Sequence, residues 1–271
     1  MAKYENLIVE IEGALAKIQL NRPKKKNSMS PGLHQDMTEA LEQVAAASGV
    51  KALILTGVGD SFCGGMDLEN CFLKPFSNPD EFRRINEPPF KWFKRLKSFP
   101  TVTIASVNGW CFGGGFEIAG ACDIIIAANE ATFGLSEINF GIFPGGGTMW
   151  VAAHNLDRKR ALYYALTGDT FNGKQAVEYG FANFSVPRKS LNQETARVAA
   201  MITNKNALAL TFTKEVYERS MTMNFAESID WEMAKLMELS YFTRHEWINV
   251  ALKQFSERKY RPGLDSYELP K

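Results

Sequence analysis

The sequence has few of the residues from which metal sites and disulfide frameworks are built. It contains four cysteines and three histidines in 271 residues. The cysteines form no CxxC pair, and no histidine lies within a few residues of one, which argues against a zinc site. We therefore expect no bound metal and expect free thiols in a reducing compartment. The histidines also lack a neighbouring Ser or Cys nucleophile motif, which argues against a catalytic triad.

Surplus charge and long apolar runs are equally scarce. The 31 basic and 30 acidic residues give a formal net charge of +1, which predicts neither nucleic-acid binding nor attachment to an anionic membrane surface. No apolar run approaches the length of a membrane-spanning helix, and the N-terminus lacks the apolar core of a signal peptide. We therefore expect a soluble, cytoplasmic protein. One basic cluster, Arg22–Asn27, is either a solvated loop or a phosphate contact.

Hydrophobic patterning predicts an α/β region followed by helices. Alternating residues on both sides of Glu12-Gly13 indicate a hairpin, and Ser30 followed by Pro31 indicates the start of a helix. Three apolar runs are typical of buried strands: "VKALILTG", "TVTIASVNG" and "CDIIIAA". Residues 57–72 are predicted to be an irregular loop, a short strand is predicted around Thr132-Phe133, and all segments after Thr148 are predicted to be helical. The boundary between an α/β core (residues 1–200) and a helical region (residues 201–271) is predicted near residue 200.

Two glycine-bearing segments each follow a predicted buried strand. They are Gly64–Met66 and Gly113–Gly115. Ligands bind beyond the carboxyl ends of parallel strands, so the two segments could converge on one pocket. Free amides at the start of the helix after Gly113 favour negative charge, and one amide from each segment would form an oxyanion hole. The alternative is that the glycines only allow close packing. Neither segment carries the Lys-Ser/Thr of a Walker phosphate loop.

Two glutamates accompany these segments. Glu117 lies in the apolar stretch "GFEIAGAC", and Glu137 follows twenty residues later. A carboxylate in such a stretch is costly to bury unless it is paired or used. Asp67 and Asp123 are expected to bond backbone groups of a loop and of a strand start. Two carboxylates beside an oxyanion hole suit acid–base chemistry at an enolisable thioester.

Taken together, these stretches resemble the crotonase (enoyl-CoA hydratase/isomerase) superfamily over essentially the whole chain. The matching motifs are "LNRPKKKNSMS", "LTGVGDSFCGGMDL", "VNGWCFGGGFEIAGACDIIIAANEATFGLSEINFGIFPGGG" and "LTGDTFNGKQAVEYGFAN". The resemblance implies an α/β fold made of a spiral of repeated ββα units with a helical C-terminal region that trimerises. It also implies a homotrimer or a dimer of trimers, and a place in fatty acid or aromatic acid metabolism.

The same resemblance implies four catalytic residues. Met66 and Gly114 occupy the positions whose backbone N–H groups bind the thioester oxygen. Glu117 and Glu137 occupy the positions of the two glutamates of the family's hydratases. Glu117 would help to activate the attacking water, and Glu137 would deliver a proton to the α-carbon.

Binding residues and partners are implied in the same way. Lys25 matches a position near the coenzyme A phosphates, and Gly64 and Leu68 match positions along the acyl-pantetheine channel. Coenzyme A is then part of the substrate, and no separate cofactor is expected. An acyl-CoA is the expected partner, with no nucleic acid and no membrane.

Within the superfamily, the closest likeness is to hydroxycinnamoyl-CoA hydratase-lyases, but the active-site positions differ. This chain has Glu117 where those lyases carry serine, and Cys71 and Met233 where they carry two tyrosines. The resemblance therefore favours hydration of a trans-2-enoyl-CoA over aldehyde release, with an isomerase, which needs one carboxylate, as a further alternative. Several aromatic residues could line the acyl pocket or belong to the ordinary core: Phe72, Phe76, Phe90, Trp92 and Phe140.

Overall fold

A computed structural model describes residues 4–269, and the chain divides between Ala199 and Ala200 into two units. The first unit contains the strands and most of the helices that position the site. Its strands are β1 (Leu7–Glu12), β2 (Leu15–Leu20), β3 (Ala52–Gly57), β4 (Ser61–Cys63), β5 (Val102–Val107), β6 (Trp110–Phe112), β7 (Ile124–Ala128), β8 (Thr132–Gly134), β9 (Thr170–Asn172) and β10 (Phe184–Val186). Its helices are α1 (Pro31–Ala46), α2 (Pro79–Lys97), α3 (Gly114–Ala121), α4 (Thr148–Asn155), α5 (Arg158–Thr167) and α6 (Gly173–Glu178), with α7 (Leu191–Thr203) crossing the division.

The strands form two sheets, ordered β1-β2-β3-β5-β7-β10 and β4-β6-β8-β9. Neighbours are parallel except for the pairs β1–β2 and β8–β9. The chain repeats one unit, since β1-β2-α1 is followed by β3-β4-α2 and β5-β6-α3. In the second and third repeats, the first strand joins the larger sheet and the second joins the smaller one. The predicted α/β class with repeated ββα units is confirmed.

The long elements follow directly from the sequence. The six residues of β3 and the six of β5 are all buried, as expected of parallel strands covered on both faces. Helix α1 begins as predicted, with Pro31 in its first turn and Ser30 Oγ accepting a hydrogen bond from Leu33 N at 3.3 Å. The predicted hairpin is present, with Glu12 pairing with Leu15 across the turn.

The short strands were not predicted, except for β8 (Thr132–Gly134), which was expected around Thr132-Phe133. The segment expected to be one irregular loop contains β4 and a π-helical turn, Glu69–Leu73. Residues Trp110–Phe112, just before Gly113, form β6, and two strands, β9 and β10, occur after Thr148, where only helices were expected. Each of these strands has three residues, too few to show an alternating pattern. They are strands because a partner distant in sequence pairs with them.

The second unit is helical, as predicted. It contains α8 (Ala207–Ser220), α9 (Phe225–Phe242), a π-helical turn (Trp247–Leu252) and α10 (Lys253–Ser256). Helix α9 exposes several large apolar side chains, among them Phe225, Met233, Met237 and Tyr241. Over residues 4–269, no helix is long and apolar enough to cross a membrane. The cytoplasmic location and the trimerisation of this region stay predictions.

Candidate active site

The loop after β4 presents the backbone amide of Met66. Met29 pairs with this loop on both sides of Met66: Met29 N donates to Gly65 O at 2.8 Å, and Asp67 N donates to Met29 O at 2.9 Å. In a trans peptide, the C=O and the N–H point in opposite directions. Because Gly65 O is directed at Met29, the Met66 N–H is directed away from it. Among residues 4–269, no acceptor bonds this N–H.

The second amide is that of Gly114, the first residue of α3. Gly113 O accepts a hydrogen bond from Glu117 N at 3.0 Å, so the N–H of the same peptide points out of the helix N-terminus. It bonds no acceptor in the described part of the chain. A Cβ atom at Gly65 would lie 3.8 Å from Gly114 N. The structure therefore brings together the two amides that the sequence predicted as oxyanion donors.

Glu117 is held in α3 with 5 % of its surface exposed. Its Oε2 accepts a hydrogen bond from Thr148 Oγ1 at 3.4 Å. A Cβ atom at Gly147, where φ is +134°, would overlap with Oε1, so the carboxyl occupies space that only glycine leaves open. Burial raises the pKa of Glu117 to about 8, the Thr148 hydrogen bond opposes this rise, and the charge of Glu137 adds to it.

Glu137 lies in a 3₁₀ turn, Ser136–Phe140. Its Oε2 is buried and has no hydrogen-bond partner among residues 4–269. A Cβ atom at Gly113 would lie 2.8 Å from its Oε1, so this carboxyl adjoins the residue that precedes the Gly114 amide. Burial raises the pKa of Glu137. A buried carboxyl oxygen without a partner, next to the residue that precedes a free amide, is a group that a polar ligand could satisfy.

The two carboxyls form an electrostatically coupled pair. Burial raises the pKa of each carboxyl, and the charge of Glu137 raises that of Glu117 further, so both hold a proton more readily than an exposed glutamate does. One group can then donate a proton while the other accepts one. With two N–H donors adjoining, the site can stabilise an oxyanion and exchange protons with the atoms beside it.

The structure gives less information about the three residues predicted to contact coenzyme A than about the four predicted catalytic residues. Lys25 is exposed and forms no ion pair within the described residues, whereas its neighbour Lys26 pairs with Asp60 at 2.7 Å. Gly64 N donates to Lys26 O at 2.8 Å, so this glycine joins two loops. Leu68 is 46 % exposed, two residues after Met66. The binding roles of Lys25, Gly64 and Leu68 stay predictions.

Sequence reasoning missed two residues beside the Glu117 carboxyl. Thr148 donates a hydrogen bond to it, and Gly147 leaves the space that it occupies. The glycine run Gly145–Gly147 precedes a helix just as Gly113 precedes α3, and this repeated pattern is a signal that could have identified them.

Asp67 bonds loop backbone as predicted, accepting from Asn70 N at 3.2 Å, and it also pairs with an arginine. Over residues 4–269, no group of three or more His, Cys, Asp or Glu residues could hold a metal ion.

The predicted aromatic set divides between core and site. Trp92 is buried and donates from Nε1 to His34 Nδ1 at 3.0 Å, while Phe76 and Phe140 are exposed. Phe90 lies beside the site, because a Cβ atom at Gly146 would lie 3.6 Å from both Phe90 Cε1 and Glu117 Oε2. Of these aromatic residues, Phe90 is therefore the one that this distance places near Glu117.

Comparison with known proteins identifies the family to which the chain belongs. The family model for enoyl-CoA hydratase/isomerase matches residues 10–262, and the chain belongs to this family. It is 37% identical over 269 residues to a hydroxycinnamoyl-CoA hydratase-lyase of Pseudomonas fluorescens, covering 98% of each chain. It is 32% identical to a crotonyl-CoA hydratase of Syntrophomonas wolfei, covering 84% of this chain and 87% of that one.

Solved structures of the family have the same fold. The crystal structure of enoyl-CoA hydratase from Bacillus anthracis matches with a TM-score of 0.85 at 28% identity, over 94% of this chain and 97% of that one. A Geobacillus kaustophilus structure of the family matches with a TM-score of 0.85 at 29% identity, over 97% and 99%. The resemblance predicted from the sequence motifs is thereby confirmed.

Proposed function

We propose that this protein hydrates a trans-2-enoyl-CoA thioester to a 3-hydroxyacyl-CoA. The observation that carries the proposal is the grouping of two unbonded amides, Met66 N–H and Gly114 N–H, with two carboxyls, that of buried Glu117 and that of half-buried Glu137. Hydration needs each part of this grouping: donors for an oxyanion, a base for water and an acid for carbon. Membership of the enoyl-CoA hydratase/isomerase family supports the proposal.

The amides of Met66 and Gly114 would bind the thioester oxygen. When water adds to the β-carbon, negative charge moves onto this oxygen as the enolate forms. Backbone donors fixed before the reaction stabilise that charge without reorganising, and the loss of one such donor costs about 10²–10³ in kcat. Met29 and the first turn of α3 hold these two amides in place.

The carboxyl pair would move the protons. Hydration would proceed from the form of the pair in which Glu117 is ionised and Glu137 is protonated, although the raised pKa of Glu117, about 8, favours the proton on Glu117 in the free site. In that form, Glu117 accepts a proton from water while the water oxygen bonds to the β-carbon, and Glu137 donates its proton to the α-carbon. The product gains one H and one OH, and the pair again holds one proton. In the reverse direction, protonated Glu117 donates to the leaving hydroxyl and Glu137 accepts from the α-carbon. A pair that shares one proton serves both directions.

An aromatic hydratase-lyase is the second candidate, because a relative of that name is 37% identical over 98% of the chain. Against it stands Cys71, at one of the two positions where the subgroup resemblance places tyrosine. Cys71 is fully buried, and its thiol donates to Met29 O at 3.4 Å, so no hydroxyl from this position reaches a phenol. An isomerase would need only one of the two carboxyls.

The proposal extends to binding and assembly. Lys25 would contact the coenzyme A phosphates, and Gly64 and Leu68 would line the acyl-pantetheine channel. Association into a homotrimer or a dimer of trimers is supported by the apolar side chains that α9 exposes, since large exposed apolar patches are typical of interfaces. Coenzyme A remains part of the substrate.

A paired substrate assay tests the proposed reaction. We expect the purified protein to hydrate crotonyl-CoA, measured as loss of the conjugated thioester absorbance, at a higher kcat/KM than feruloyl-CoA. Release of an aromatic aldehyde from feruloyl-CoA is expected to be negligible. Rapid aldehyde release with slow crotonyl-CoA hydration would instead favour the lyase.

A further inference from the structure

The basic segment Arg22–Met29 contacts the loop Gly64–Asp67, which carries the Met66 amide and is called the oxyanion loop below, and the proposed reaction gives this contact no role. The two run side by side: Lys26 O accepts from Gly64 N at 2.8 Å, and Met29 bonds both Gly65 O and Asp67 N. The side chain of Met29 is also fully buried, and a Cβ atom at Gly114 would overlap with its Cε. One segment therefore supports both amides of the proposed oxyanion hole.

Asn27 fixes the shape of this segment. It is fully buried, with φ of +55°, a backbone conformation that asparagine tolerates better than most residues. Its Nδ2 donates to Ser61 O at 2.7 Å and Val58 O at 3.0 Å, and its Oδ1 accepts from Arg22 N at 2.9 Å. These bonds anchor the segment to the residues just before and at the start of β4.

Arg22 connects the segment to the oxyanion loop through its side chain. Its Nη2 lies 2.9 Å from Asp67 Oδ2, with the two side chains 18% and 6% exposed, and its Nη1 donates to Ser28 O. Burial favours a higher pKa for Asp67, but hydrogen bonds from Asn70 and Arg22 outweigh it, so the pKa lies below its ordinary value. The guanidinium of Arg22 thus connects the carbonyl of Ser28, which precedes Met29, with the carboxylate of Asp67, which follows Met66.

We propose that the Arg22–Asp67 ion pair positions the Met66 amide. Because one guanidinium donates to both Ser28 O and the Asp67 carboxylate, Arg22 fixes the distance between Met29 and the oxyanion loop. That separation determines the direction of the Gly65–Met66 peptide, and hence of its N–H. A lysine could not replace this function, since it lacks the planar fork that bonds two acceptors at once. The inference rests on the proposed function, because it assumes that Met66 N–H binds a thioester oxygen.

The stretching frequency of a bound thioester carbonyl distinguishes a role of Arg22 in positioning the Met66 amide from a role in fold stability alone. Butanoyl-CoA with a ¹³C-labelled thioester carbonyl cannot be hydrated, and two donors lower the stretching frequency of its carbonyl. In Arg22→Met, we expect kcat for crotonyl-CoA to fall about 10- to 100-fold, less than when a donor is removed outright. We expect the bound carbonyl band to move toward its value in free butanoyl-CoA, while the Kd of butanoyl-CoA changes by less than about threefold. Arg22→Lys is expected to recover little of either signal.

A matched control lies in the same two segments. Asp60→Asn breaks the exposed Lys26–Asp60 pair, 2.7 Å in length, and is expected to leave kcat and the carbonyl band at their wild-type values. If Arg22→Met does not fold, Asp67→Asn, which conserves shape, is tested by the same criteria. Lower thermal stability with an unchanged kcat and an unchanged band would overturn the inference. A wild-type protein that binds butanoyl-CoA without any band shift would overturn the proposed oxyanion hole itself.

Discussion

The carboxyl of Glu137 lies against the backbone of Gly113, such that a Cβ atom at this glycine would be 2.8 Å from Glu137 Oε1. Gly113 has φ of +51° and ψ of −118°, a conformation that side chains disfavour. Its carbonyl belongs to the peptide that carries the Gly114 amide. The conformation of Gly113 therefore determines the direction of the Gly114 N–H, a proposed oxyanion donor. Its missing side chain leaves the space that Glu137, the proposed catalytic acid, occupies.

Gly113→Ala is expected to abolish most activity. The added Cβ would strain the backbone by about 1–3 kcal/mol and displace the Glu137 carboxyl, so we expect kcat for crotonyl-CoA to fall at least about 100-fold. The control is Gly13→Ala, at φ of +57° with open space around its Cβ position, which adds strain alone. Turnover and thermal unfolding of both variants provide the measurement. Equal kcat in the two variants would show that Gly113 matters only through strain.

The buried carboxyl of Glu117 predicts a pH-dependent stability. Its pKa is raised by burial from 4.5 to about 8, so the folded protein holds this proton more tightly than the unfolded chain. The contribution to stability is therefore fully present below pH 4.5 and is lost as pH rises through about 8. Glu117→Gln removes the titration, and we expect it to stabilise the fold at pH 8.5 by about 1–4 kcal/mol while losing activity.

Chemical unfolding of wild type and Glu117→Gln from pH 5 to pH 9 checks this sign. The stability difference between them should grow with pH in favour of the variant. A Glu178→Gln variant, which changes an exposed carboxylate on α6, controls for the general loss of negative charge. A variant less stable than wild type at high pH would show that Glu117 is stabilised as a carboxylate, and the coupled acid–base pair would then be wrong.

Phe90 is expected to limit the size of the acyl group. Its ring and the Glu117 carboxyl approach the same point beside Gly146. If Glu117 acts on water at the β-carbon, as proposed, we expect the ring to meet the part of the acyl chain beyond that carbon. Phe90→Ala should raise kcat/KM for aromatic or longer enoyl-CoA thioesters relative to crotonyl-CoA by about 10-fold, as expected for a few methylene-sized contacts. Phe76→Ala, at a side chain 81% exposed, is the control. An unchanged preference in Phe90→Ala would place the acyl group elsewhere.

The sequence predicted those parts of the fold that depend on local pattern. The six-residue buried strands, the α1 start at Ser30 and the helical region after residue 200 all follow from periodicity and capping. Four of the five three-residue strands do not, because each depends on pairing with a distant partner; the fifth, β8, was expected around Thr132-Phe133. β6, for example, pairs with β4 and β8, and "WCF" alone has no strand pattern.

The site was predicted in the same uneven way. Glu117 and Glu137 stand out because carboxylates are costly to bury, and the glycine segments stand out because glycine is a poor residue for helices and strands. Thr148 and Arg22 do not, since a threonine at a helix start and an arginine in a basic cluster have ordinary surface roles. The basic cluster itself illustrates the limit: its arginine and Lys26 are engaged within the protein, and only the folded structure separates them from exposed Lys25.

The most direct test of the proposed mechanism is the rate of crotonyl-CoA hydration by Glu137→Gln. The substitution conserves the shape of a side chain whose Oε2 is buried without a partner in the described protein, but it removes the proton donor for the α-carbon. We expect kcat to fall by about 10²–10⁴, with butanoyl-CoA binding and thermal stability retained and with Glu178→Gln active. Hydration by Glu137→Gln at a rate near that of the wild type would contradict the account.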